Sequence, residues 1–325
     1  FLPISAPLSN LSTIGGILAS DTSGPIKWRY GHFRDLVIGM KFINSEGSII
    51  KTGGNVVKNV TGYDTAKLHI GSLGTLGVIN EVSMRLMPKP RVNNTIIVEM
   101  EKMSLAINIA KAIFHSAVMP LALSVFTGNV ANRLEISSQG DNVFLAVNII
   151  GGPQSVERQG KELMQICSQG NPKSFEILTF LEAGSFWQKL TGFGWDDTCP
   201  SFSIVRVSTD FSNLDQLIKD LVKFESENTT DMELILNPGY GTMEIHWIDE
   251  VSRIDLERFT KYFQETLTFL RSRSDRVIIE RCPTYIKREL DVWGEISGGI
   301  SLMRAIKNEY DPNAIFNPGR FVDGI

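Results

Sequence analysis

From residue 93 to residue 281 the sequence changes its period repeatedly, and this rhythm limits the possible folds more than any other feature. The short runs NTIIVEM, VFLAVNII, FSIVRVS, MELILN, GTMEIHW and RVIIER are rich in β-branched and apolar residues and read as strands. Between them lie SLAINIAKAIFHSA, SVERQGKELMQICSQ, NLDQLIKDLVKFES and RIDLERFTKYFQETLTFLRSR, where apolar residues recur at helical spacing. The pattern predicts an α+β domain whose antiparallel sheet is covered by helices on one face, as in ferredoxin-like units.

The flanks have a different texture. Residues 1–90 are rich in glycine and carry three short apolar runs, DLVIGMKFI (35–43), SIIKTGG (48–54) and LGVINEVSMRLMP (76–88). These read as strands joined by glycine turns, with Glu46-Gly47 as a hairpin signal and Pro88 and Pro90 as the stop. After Cys282-Pro283 a helix, GISLMRAIKNEY, runs into the turn-rich DPNAIFNPGRF. Three segments follow: 1–91, 92–283 and 284–325.

A formal charge of -4 argues against a nucleic-acid partner, because neutralising phosphates needs a basic surface. Cys167, Cys199 and Cys282 are far apart without CxxC spacing, so neither a zinc site nor a disulfide framework is indicated, and a reducing compartment fits. No apolar run is long enough for a membrane helix, so any membrane association is expected through a partner. The first residues lack an initiator Met, a basic start and a long apolar stretch, and the chain reads as cut. The sequons at Asn10, Asn59, Asn93 and Asn228 read as chance matches.

The stretch KNVTGYDTAKLHIGSLGTLGV (58–78) places glycines at 62, 71, 74 and 77. Glycine costs more conformational entropy than any other residue, so this density points to turns or to backbone lying against a ligand. A P-loop would need Lys and then Ser or Thr after the last glycine, and there is none. A dinucleotide fingerprint needs GxGxxG opening a helix, whereas these glycines are spaced GxxGxxG and lead into a strand. A turn cluster without a ligand remains open on spacing alone, although a second cluster, STIGGILASDTSGP (12–25), weighs against it.

Four ordered segments, TIGGILASDTSGP, RYGHFRDLVIGMKFI, GGNVVKNVTGYDTAKLHIGSLGTLGVINEVSMRLMP and LDVWGEISGGISLMRAIKNEYDPNAIFNPGRFVDGI, resemble the FAD-binding subunits of glycolate oxidases. Those belong to the vanillyl-alcohol-oxidase, or PCMH-type, FAD-linked oxidases, with D-lactate and D-2-hydroxyglutarate dehydrogenases as relatives. The resemblance is specific over residues 12–90 and 290–325 and weaker between them. It implies a PCMH-type FAD-binding domain plus a ferredoxin-like cap domain, with a further pyrophosphate-binding subdomain expected before Phe1 and absent from this chain.

The implied ligand of the glycine clusters is FAD, bound without a covalent link. Thr13, Ile14, Gly15 and Gly16, followed by Ala19 and Ser20, map to the segment beneath the flavin and its ribityl-pyrophosphate. Backbone N–H groups approach a pyrophosphate closely where no Cβ intervenes. Gly74, Thr75, Gly77, Val78 and Ile79 map to the segment passing the adenine end and the flavin, with Val78 and Ile79 as an apolar wall. Lys58, Tyr63 and Asp64 are further candidates, Lys58 for negative charge or simply as a solvated strand-end lysine.

Catalytic relatives carry a motif resembling His-Pro-Gly-Asp-Gly-Asn-x-His, whose histidines hold a metal. Here the stretch reads NPGYGTME, with Asn237 and Glu244 at the histidine positions and Tyr240 at the aspartate, and ERCPTY (280–285) adds no histidine. An amide is a poor metal ligand, so no metal site is expected and this chain is not expected to oxidise the hydroxy acid itself. His246 shares a strand face with Glu244 as a possible acid–base pair, against the plainer reading of a surface strand histidine. His32 lies near the expected flavin loop as a candidate for contact with flavin or substrate; Arg34 and Asp35 read as a structural pair, and Trp187, Trp195 and Trp293 as flavin shields or, more simply, as core packing.

The implied function is the FAD-binding subunit of a glycolate or D-lactate (2-hydroxy acid) dehydrogenase complex. It would relay electrons to or from a catalytic FAD subunit and an iron–sulfur subunit, in the cytoplasm or peripheral to the inner face of the membrane through those partners. The alternatives are an independent FAD-linked dehydrogenase of another small hydroxy acid and a scaffold that has lost FAD.

Overall fold

The computed structural model describes residues 1–54, 64–136, 142–196, 200–226, 232–248, 256–296 and 298–325. Lys58, Asn59, Gly62, Tyr63, Cys199 and Asn228 lie outside the described residues. The chain divides into two units, Phe1–Lys89 with Glu295–Ile325, and Pro90–Gly294.

In the first unit α1 (Ile14–Ser20), α2 (Lys27–Tyr30) and α3 (Phe33–Leu36) lead into β1 (Val37–Ile43) and β2 (Ile49–Gly53), and α4 (Ala66–His69) precedes β3 (Val78–Met84). The three strands form an antiparallel sheet in the order β2-β1-β3. The β1–β2 turn closes because the Asn44 side-chain oxygen accepts from the N–H groups of Glu46 and Ser48 while Gly47 takes a left-handed φ of 78°. Leu18, Phe33, Leu36, Met40, Phe42 and Ala66 fill the core. Arg34 and Asp35 are neighbours on α3 with no ion pair between them, contrary to the sequence expectation, since consecutive helical residues face different ways. The C-terminal helix, Ile300–Tyr310, and the turns after it belong to this unit.

The second unit contains β4 (Val92–Met100), α5 (Met103–Phe114), β5 (Ala122–Thr127), α6 (Gly128–Arg133), β6 (Val143–Gly151), α7 (Pro153–Ser168), β7 (Ser174–Thr179) and α8 (Phe180–Thr191). It continues with β8 (Ser203–Ser208), α9 (Phe211–Ser226), β9 (Glu233–Asn237), β10 (Thr242–Trp247), α10 (Leu256–Arg271), β11 (Arg276–Arg281) and α11 (Thr284–Lys287). All eight strands join one antiparallel sheet, ordered β11-β8-β10-β9-β5-β6-β4-β7. Each half therefore runs fourth, first, third, second strand, the ferredoxin-like order repeated twice. The halves join edge to edge where Val125 faces Leu236 and Phe126 faces Ile235.

Helices cover both faces of the first half, not one. The helices α5 and α7 lie against β4 and β6. On the other face Ile97, Phe126, Phe144 and Ala146 pack against Val130 and Ala131 of α6 and against Phe186 and Leu190 of α8. The physical reason lies in the strands themselves: Val143 to Ile150 are buried without alternation, which is what a strand covered on both faces requires. Trp187 packs against this layer and donates its indole N–H to Thr95 Oγ1 at 2.9 Å.

Candidate functional site

Two glycine clusters distant in sequence meet in the first unit. Thr13 caps α1, its Oγ1 accepting from Gly16 N at 3.1 Å. The last turn of α1 then carries the second cluster, with Leu18 O accepting from Gly71 N at 2.9 Å and Ala19 O from Leu73 N at 2.7 Å. At the other end of α1, Gly15 lies over Ile79 of β3. Thr13, Ile14, Gly15, Gly16, Ala19 and Ser20 thus adjoin the loop holding Gly74, Thr75 and Gly77 and the strand start at Val78 and Ile79. Ser20 Oγ is committed to Gly16 O, and the buried Thr75 Oγ1 to Ser72 O. Ile14 and Val78 stand out, with 48% and 51% of their surface exposed.

The glycines differ in what requires them. Gly71 and Gly74 adopt φ of 78° and 72°, and a Cβ on Gly74 would sit 2.9 Å from the Asn317 amide nitrogen. A Cβ on Gly77 would be 2.7 Å from Ile43 O. These three have a sufficient cause inside the chain. Gly15 has none: it is helical, and a Cβ there would meet only Ile79 at 3.7 Å and beyond, an ordinary contact. Gly15 stands in the first turn of α1, where alanine would fit as well, so a reason outside the fold is left for Gly15.

The C-terminal segment locks the loop. Lys307 is buried and its ammonium donates to Thr75 O at 2.8 Å, Phe316 O at 2.9 Å and Asp311 Oδ2 at 2.6 Å. Burial pushes the Asp311 carboxyl up, but the Lys307 hydrogen bond and the N–H groups of Phe316 and Ile315 outweigh it and hold its pKa below the usual range. Asn317 Nδ2 donates to Leu73 O at 2.8 Å. Asp64 pairs with Lys67 at 3.3 Å. His32 stands at the N-cap position of α3 without a side-chain cap hydrogen bond and is exposed, its Nδ1 3.9 Å from Asp21 Oδ2 at the end of α1.

Sequence reasoning missed His69. It is fully buried, its ring 3.8 Å from that of Phe42 and 5.6 Å from Tyr310, and neither nitrogen has a hydrogen-bond partner. Burial pushes its pKa down to about 4, so the ring is neutral. One histidine in a run of apolar and small residues gives no sign of this.

A separate polar cluster lies on one face of the second unit's sheet. Asn237 does not reach outward: its Oδ1 accepts from Ser124 Oγ at 2.6 Å, both side chains buried. Glu244 and His246 share a face of β10, as strand alternation dictates. His246 is buried, however, and not on the sheet surface. Its Nδ1 is 3.1 Å from Ser201 Oγ, its Nε2 3.5 Å from Glu244 Oε2 without hydrogen-bond geometry, and the Phe193 ring covers it edge-on. Arg206, opposite Glu244 on β8, pairs with Glu280 at 2.8 Å. Burial raises the Glu280 pKa despite Arg206, and burial, with the Glu244 charge, raises that of Tyr240. Among the described residues no three His, Cys, Asp or Glu side chains are grouped to hold a metal ion. No helix among them is long and apolar enough to cross a membrane.

Comparison with known proteins places these features in context. Residues 294–321 match the family model described as FAD linked oxidases, C-terminal domain. The chain is 24% identical to glycolate oxidase subunit GlcD of Bacillus subtilis over 98% of its own length and 70% of that protein's. Over 25% of its length, and 23% of the relative's, it is 43% identical to glycolate oxidase subunit GlcE of Escherichia coli. It is 25% identical to the mitochondrial D-lactate dehydrogenase (cytochrome) of Arabidopsis thaliana and spans 56% of that protein. Among solved structures, alkyldihydroxyacetonephosphate synthase superposes with a TM-score of 0.67 at 17% identity, over 98% of this chain and 60% of that one, a likeness of fold.

Proposed function

This chain belongs to the FAD-linked oxidase family, whose cofactor is FAD, and we propose that it is the FAD-binding subunit of a dehydrogenase complex for glycolate, D-lactate or a similar 2-hydroxy acid. In this reading it relays electrons to or from a catalytic flavin subunit and an iron–sulfur subunit. FAD, held noncovalently, takes up two electrons and releases them singly. The residues present fit such a group: the backbone at Gly15 admits close approach, and exposed Ile14 and Val78 offer an apolar wall that excludes water.

The observation that carries the relay role, as opposed to oxidation of the hydroxy acid, is the commitment of Asn237 within the sheet of the second unit. The same face carries Arg206, paired with Glu280, with Arg276 as a second cation beside Arg206 and Glu244 opposite it. Asn237, at a position where catalytic relatives carry a histidine, spends its carbonyl oxygen on Ser124.

The test is the visible spectrum of the full gene product, recorded anaerobically before and after adding glycolate or D-lactate. The relay reading expects flavin bands that persist with hydroxy acid alone and bleach once the partner subunits are added. Bleaching without partners would contradict the relay role. Absence of flavin bands after loading with FAD would contradict cofactor binding.

A further inference from the structure

The loop from Leu73 to Thr75 is held in a conformation that its own sequence does not favour. Leu73 and Gly74 are both left-handed, at φ of 53° and 72°, and for leucine this costs of order 1 kcal/mol or more. Such a pair persists only where the surroundings fix it. The fixing groups come from the far end of the chain. Asn317 Nδ2 binds Leu73 O, and Lys307 Nζ binds Thr75 O, so the carbonyls on either side of Gly74 are each held by one C-terminal side chain. Lys307 is fixed in turn by Asp311 and Phe316 O, and Asp311 by the N–H groups of Ile315 and Phe316. On its other side the loop is tied to α1 through Leu73 N and Ala19 O.

We propose that Lys307 and Asn317 are positioning residues for the cofactor: together they clamp the 73–75 backbone in the form that meets FAD, and they do so without touching it. The proposal rests on the FAD reading above and deepens it. Both bonds end on main-chain carbonyls, so the clamp fixes loop conformation whatever side chain stands at 73 or 75. A group whose work was packing alone would not need a buried ammonium satisfied by three oxygens, since burying a charge is costly unless every donor is paired. A clamped loop binds with less ordering cost, which appears as affinity.

Asn317 has a φ of 41°, so Asn317→Gly removes the side-chain bond without opposing the backbone. Lys307→Met is the harsher second variant. Hydrogen exchange of amides 71–77 without FAD reads the clamp; FAD affinity is read from flavin fluorescence and from the concentration dependence of loading. The expected result for Asn317→Gly is faster exchange confined to the loop and affinity weakened about tenfold, with unfolding of the sheet unit, followed by its tryptophans, unchanged. Lys307→Met should do the same more strongly. Faster loop exchange with affinity within about twofold of wild type would overturn the proposal, because a merely structural clamp behaves so. Failure of the wild type itself to bind FAD would overturn the cofactor reading and the clamp's role with it.

Discussion

Replacing His69 by phenylalanine should make the protein more tolerant of acid. The imidazole is buried against Phe42 without a hydrogen-bond partner, and burial lowers its pKa from 6.5 to about 4. As pH falls, the unfolded chain takes up a proton near the ordinary value while the folded chain does not. The neutral ring therefore costs nothing well above pH 6.5, costs more as pH falls below that value, and reaches its full cost below about pH 4. A displacement of about 2.5 units is worth about 3 kcal/mol in the limit, of which about 2 kcal/mol accrues between pH 7 and pH 5. Urea unfolding of wild type and His69→Phe at those two pH values isolates the effect, since every titration common to both cancels. The stability difference should move about 2 kcal/mol towards the variant on acidification, and His69→Leu should show the same movement from a different starting stability. Parallel loss in wild type and both variants would refute the reasoning and mean that the ring is solvated or paired in solution.

Ser124→Ala leaves the buried Asn237 carbonyl oxygen without its donor and should cost about 1–3 kcal/mol in urea unfolding, with little effect on FAD binding. Glu280 has a raised pKa, so its protonated form suits the fold and its contribution is lost as pH rises above the ordinary carboxyl range. Glu280→Gln should gain on wild type in urea midpoints as pH is raised from about 4 to about 7; a gap that does not move would show Glu280 to titrate normally.

The sheet strands were readable where local chemistry is decisive. Asn44 and Gly47 announce their turn, and VFLAVNII is a strand on composition alone. That run also lacks alternation, the mark of two covered faces, yet the overall rhythm suggested one. The strand β5 hides in the mostly apolar stretch LALSVFT after Pro120, and β7 is a mixed edge strand. For α8 a signal existed, the capping pair Thr179 and Glu182, whose carboxylate accepts from Thr179 N at 3.0 Å. The glycines of GSLGTLG could not be sorted from sequence, because whether a glycine serves a turn or a ligand depends on φ and on atoms such as Ile43 O and Asn317 Nδ2 that come from elsewhere. For the same reason the burial of His246 beneath Phe193, and the hold of Lys307 on Thr75, became visible only in three dimensions.

The measurement that bears most directly on the FAD-binding account is made on Gly15→Ala. The added methyl group meets only Ile79, at 3.7 Å or more, and suits a helix, so without cofactor the variant should be as stable as wild type or up to about 1 kcal/mol more stable. If FAD lies against this backbone, the same methyl group stands in its way, and affinity should fall at least about tenfold. A variant of unchanged stability that binds FAD as tightly as wild type would contradict the placement of the cofactor at Thr13 to Gly16.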